Sequence, residues 1–79
     1  PVVLFYAKPE IQNPSYRFCF VPHHSVSKLE YKIYQSSSLE PIYTGELSDL
    51  RADKEACLRW PGKNQNNEIV TDGWYHLVV

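Results

Sequence analysis

The sequence predicts an all-β fold, a small six-stranded antiparallel β-sandwich with one disulfide. Three observations carry the prediction. Short alternating or continuous apolar runs are punctuated by turn residues about every ten positions, the spacing of a small sandwich or barrel. The 79 residues include six Tyr, three Phe and two Trp, enough large side chains to fill a small core. Cys19 and Cys57 are the only cysteines, a lone pair that suits a cross-link in a chain of this size.

The elements follow in order. Val2–Ala7 is a continuous β-branched and aromatic run and reads as an N-terminal strand, extra to the six, before a loop containing Pro9, Asn13 and Pro14. Residues 16–21 alternate, with Tyr16, Phe18 and Phe20 on one face and Arg17, Cys19 and Val21 on the other. Both faces are mostly apolar, which suggests a central strand covered on two sides. Residues 29–34 alternate more cleanly, Leu29, Tyr31 and Ile33 inward and Glu30 and Lys32 outward, as in a half-exposed strand. After the Ser36, Ser37 and Ser38 loop, residues 42–47 form the next strand, and Pro41 and Gly45 mark it as an edge or a bulge.

Residues 48–60 admit two readings. Ser48 is a helix-cap type, and Leu47, Leu50, Lys54, Cys57 and Leu58 fall near helical spacing, giving a short helix at 48–56. The favoured reading is a charged turn followed by a strand, Ala56–Trp60. Residues 68–71 and 74–79 flank Asp72-Gly73, which predicts a tight type I′ hairpin. The whole chain, 1–79, is one domain.

At this size a single core only just offsets the entropy of ordering the backbone. A Cys19–Cys57 bridge would add about 4 kcal/mol in the chain-entropy model. The alternative is a pair of buried, inert thiols. As a disulfide the pair reads as a staple between the two sheets. The histidines His23, His24 and His76 have no zinc-site spacing relative to the cysteines, so no metal is expected. Formal net charge is −1, with both signs interspersed, so neither a nucleic-acid groove nor an anionic membrane is an expected partner. No apolar run approaches a membrane span. Opening on Pro1 and lacking Met, the chain reads as a processed or trimmed product, removal of a signal peptide being one way to produce it.

Catalysis finds no support in the residue pattern. His23, His24 and His76 with Arg51 or Arg59 are acid–base and charge-stabilising types, and Trp60-Pro61 is faintly similar to a dipeptide of small microbial guanyl-specific ribonucleases. In that family a catalytic glutamate precedes the dipeptide, whereas Arg59 stands here. No nucleophile motif or phosphate-cradling glycine loop is present. No enzyme activity, cofactor or catalytic residue is expected. A ribonuclease-like protein, active or catalytically degenerate, is the alternative.

Strand edges remain. So few short strands do not close a barrel, and an open edge recruits a partner's strand by main-chain hydrogen bonds. Polar alternation, Pro41 and Gly45 select residues 29–35 and 42–47, with Tyr31, Ile33, Tyr34, Ile42 and Tyr43 as the candidate partner-binding edge.

Six short strands, Cys19 within Tyr16-Arg17-Phe18-Cys19-Phe20-Val21, Cys57 within Ala56-Cys57-Leu58 and the closing run Gly73-Trp74-Tyr75-His76-Leu77-Val78 together resemble the MAX-type effectors secreted by plant-pathogenic fungi. The resemblance covers residues 16–79 and lies in architecture and cysteine placement. It implies two three-stranded sheets and a secreted virulence protein, translocated into the host cytoplasm, that acts without catalysis. Its partners would be host proteins, immune receptors among them, contacted through its surface and edge strands by a monomer. No individual binding residue carries over.

Overall fold

The computed structural model describes residues 2–10 and 15–79; the loop expected around Asn13 and Pro14 lies outside them. Among the described residues there are six strands: β1 Val2–Ala7, β2 Tyr16–Phe20, β3 Val26–Gln35, β4 Pro41–Leu50, β5 Ala56–Trp60 and β6 Gly73–Val78. They form two antiparallel sheets, one of four strands in the order β1-β6-β3-β4 and one of two, β2-β5. The six-stranded all-β fold is as the sequence predicts, but its division is four and two instead of three and three.

Alternation decides which side chains meet between the sheets. On β3, Tyr31 and Ile33 are buried while Glu30 is exposed, and their cross-strand partners are Gly45 and Tyr43. From β6, Tyr75 and Leu77 join them, and from β5, Leu58 and Trp60. Trp60 is fully buried, and its indole N–H donates to the Lys63 carbonyl at 2.8 Å, so its one polar atom is satisfied. Phe5 is the hub of the aromatic packing, with ring centroids 4.9 Å from Phe18, 5.7 Å from Trp60 and 6.2 Å from Tyr75.

Several expectations are corrected. Val2–Ala7 is no appendage: β1 pairs with β6 along its whole length, from Val2↔Val78 to Ala7↔Gly73. Residues 68–71 form no strand and make only the isolated bridge Lys63↔Ile69. The type I′ hairpin at Asp72-Gly73 is absent, because Asp72 does not take the positive φ that turn needs at both central positions. Instead Asp72 and Glu10 clasp each other: each backbone N–H donates to the other's carboxylate, at 2.9 and 3.0 Å. The clasp sends the chain straight into β6, which pairs with β1 and β3.

No helix forms at 48–56. Ser48 stays within β4, and residues 52–54 turn the chain, with Asp53 at φ 61° and the Lys54 N–H donating to the Arg51 carbonyl. The strand Ala56–Trp60 follows, as favoured. Nor is β2 a central strand, since its sheet has only two members and Arg17 and Cys19 are exposed.

Candidate interaction surface

The disulfide between Cys19 and Cys57 is formed. The two residues are direct register partners across β2 and β5, with Cα atoms 4.1 Å apart. The bridge therefore joins neighbours within one sheet, which corrects the expectation from the sequence that it would staple the two sheets together. It fixes β2–β5 register, and in the next pairs Phe18 faces Leu58 and Arg17 faces Arg59. Glu55 lies close enough to both sulfurs to make a ligand-like trio, but sulfurs bonded to each other offer no thiolates, so that trio leaves a single carboxylate donor.

The histidines are dispersed. His23 and His24 are exposed in the β2–β3 connection, while His76 sits in β6 opposite Leu4 and Tyr34. Its ring stacks on that of Tyr34 with centroids 4.9 Å apart and planes 7° from parallel. Val26, where β3 begins, and Tyr34 are separated by eight strand positions, about 26 Å. Two imidazoles so placed do not share one phosphodiester.

The candidate edge residues fall in three different settings. β3 is interior in its sheet, so Tyr31 and Ile33 are core residues and not edge residues. Burial, and then the neighbouring Tyr43, raise the Tyr31 hydroxyl above the ordinary tyrosine pKa of 10.0. Tyr34 is on β3 too, but on the sheet's outer face beside His76. Ile42 and Tyr43 belong to β4, which is a true edge.

That edge is partly occupied by the chain itself. The Gln65 N–H donates to the Ile42 carbonyl at 2.9 Å, and the Gln65 side-chain oxygen accepts the Thr44 N–H at 2.8 Å. One loop residue thus plays the part of a neighbouring strand. Beyond it, the outer face over β3 and β4 carries Lys28, Glu30, Lys32 and Glu46, with Lys28–Glu46 and Lys32–Glu30 ion pairs at 3.6 Å. Charge on an edge strand is a common guard against unwanted pairing.

The opposite end of the same face has another character. Val2, Leu4 and Tyr6 of β1 and Trp74 of β6 are exposed, Leu4 at 65% and Trp74 at 52%. Register aligns them in rows: Leu4, His76 and Tyr34 in one, Tyr6 and Trp74 in the next. The Tyr6 and Trp74 rings meet edge to face at 5.3 Å. Adjacent exposed apolar groups on this scale mark an interaction surface more often than isolated ones do.

The β1 edge beside this face is open. Ser36 N–H donates to the Trp74 carbonyl, so Trp74, His76 and Val78 turn their backbone groups toward β3, and the alternate residues Gly73, Tyr75 and Leu77 turn theirs toward β1. On β1 the partners of those three are Ala7, Phe5 and Val3. Val2, Leu4 and Tyr6 consequently direct N–H and C=O outward, and among the described residues nothing receives them. The next outward amide, that of Lys8, donates to the Tyr16 hydroxyl at 2.6 Å. Behind β1, an apolar cleft of about 280 Å³ opens between the sheets, lined by Val3, Phe18, Phe20, Leu58, Leu77 and Val79 among others.

The outer aromatic face was legible in part: Trp74 and His76 alternate with Tyr75 and Leu77 in a clean period of two. Gln65 had no signal, since its role depends on where a loop of polar residues is laid. No family model, no curated protein and no solved structure matches this chain. Among the described residues no helix is long and apolar enough to cross a membrane. A disulfide in a fold this small is compatible with an extracellular protein.

Proposed function

We propose that this chain is a secreted, non-enzymatic effector of the MAX type, made by a plant-pathogenic fungus, which enters host cells and binds a host protein, immune receptors included. The observation that carries the reading is the apolar and aromatic face of β1, β6 and the end of β3, with Leu4, Tyr6 and Trp74 exposed and the stacked Tyr34 and His76 half-buried beside an open strand edge. Tyr and Trp supply much of the energy of protein interfaces because they bury large areas at small entropic cost. The exposed disulfide accords with folding in an oxidising compartment before delivery. Dispersed histidines and an arginine where a general base would stand favour binding over catalysis.

The test begins with a host protein recovered on the wild-type chain from plant extract and then purified. Calorimetric binding should fall about tenfold or more with Trp74→Ser and hold with Glu46→Ala on the charged half of the face. Loss with Glu46→Ala and none with Trp74→Ser would reject the surface. RNA cleavage that disappears when His23, His24 and His76 are replaced by Ala would reject the non-enzymatic reading. A signal sequence in the transcript is the expected mark of secretion.

A further inference from the structure

We infer that β1 is a self-association edge, through which two copies of this chain join their four-stranded sheets into one antiparallel sheet of eight. The inference concerns the edge, and it is independent of what binds the aromatic face. Free backbone groups at Val2, Leu4 and Tyr6 are symmetric about Leu4. An antiparallel copy centred there pairs Val2 with Tyr6 of the second copy, Leu4 with Leu4, and Tyr6 with Val2, each pair exchanging two hydrogen bonds. Such a register is self-complementary, as a two-fold interface must be.

The side chains agree with the backbone. Val2–Ala7 contains no charge and no proline, so it has none of the devices that keep edge strands apart. In the two-fold register Leu4 meets Leu4 and Tyr6 meets Val2, with no like charges opposed. A formal net charge of −1 gives little repulsion between copies. The other long edge is less suited: Gln65 occupies its Ile42 carbonyl and Thr44 N–H, and Glu46 stands next along it. Because the axis runs perpendicular to the sheet, both aromatic faces end on the same side, adjacent across the joint, with both β2–β5 sheets on the other.

The edge strip is short compared with the roughly 800 Å² per partner of a standard stable interface. A weak, concentration-dependent dimer is therefore expected, dissociating in about the 10–1000 µM range. Sedimentation velocity of the 79-residue chain, in steps up to about 1 mM, should show the average mass rising toward that of two copies. Leu4→Lys sets two ammonium groups against each other at the axis and should weaken association by about tenfold or more. Leu4→Pro removes the central outward N–H without touching the β1–β6 ladder, a placement edge strands tolerate, and should do the same. Ser48→Lys, on β4, should leave association unchanged.

Amide exchange on the unmodified chain reads the same edge without mutation: the Leu4 and Tyr6 amides should slow as concentration rises. A chain that stays monomeric to about 1 mM overturns the proposal. So does a dimer that persists in both Leu4 variants, or one whose concentration-dependent protection falls on residues 44–48 instead of 2–6.

Discussion

Along β4, Gln65 takes up the Ile42 carbonyl and the Thr44 N–H, and the face beside it carries Lys28, Glu30, Lys32 and Glu46. Along β1, at the other end of the sheet, Val2, Leu4 and Tyr6 hold their backbone groups and side chains toward solvent. An unguarded edge is a hazard that folded proteins usually manage, and this chain manages it on one side. The contrast teaches that an open edge is not a consequence of a small fold running short of residues: the same sheet plugs part of its other edge with a single glutamine. The exposed aromatic groups of β1 and β6 lie beside the open edge, away from the charged half of the face.

The largest expected effect lies on the closed side. The Tyr31 ring lies against Gly45, and a Cβ there would occupy the ring's own position. Gly45→Ala should cost about 1–3 kcal/mol by urea unfolding, because the ring must leave its packing in the core. If stability does not change, the β4 half is softer than the contrast requires.

Alkaline pH comes next. Tyr31 is raised by burial and then by Tyr43, and Tyr75 is raised chiefly by burial, against the smaller lowering effect of its hydrogen bond to Thr71. A phenol whose folded pKa exceeds its unfolded one contributes stability that is fully present below pH 10.0 and is lost as pH rises through the folded value. Thermal midpoints should therefore hold up to about pH 9 and fall above pH 10, with phenolate absorbance from these two appearing together with unfolding. Phenolate formation at both while the fold stays intact would contradict it.

Gln65→Ala should cost about 0.5–1.5 kcal/mol, the range for one hydrogen bond, and speed Thr44 amide exchange. Should the variant also associate through β4, the plug is what keeps that edge closed. The smallest effect belongs to the open side: Leu4→Lys should change folding stability by no more than about 0.5 kcal/mol, because the side chain is already mostly in water. A larger loss would mean that Leu4 packs in the fold and does not wait on its surface.

Local alternation made much of the fold legible. Tyr31 and Ile33 pointing inward and Glu30 outward were readable from residues 29–34 alone, because the pleat has a period of two. Pairing was not. Nothing within Val2–Ala7 says that its neighbour is β6, and nothing near Tyr31 says that β3 is interior, so residues assigned to an edge lie in the core. Asp72-Gly73 carries the composition of a tight turn, yet the Asp72–Glu10 clasp, between residues 62 apart in sequence, prevails over it. Long-range hydrogen bonds of that sort leave no local mark. The outer face was half visible through Trp74 and His76, and its other half depended on the β1–β6 register.

The position of the disulfide has a consequence for cutting the chain. Cys19 and Cys57 stand 38 positions apart, and β3 and β4 both lie between them, so the two longest strands sit within a covalent ring. The tip of their hairpin bears Leu39 at 95% exposure, an inviting site for a protease. One nick there opens the ring but leaves every residue tethered, and two fragments separate on a gel only after reduction. A chain with this wiring survives its first cut as a single molecule.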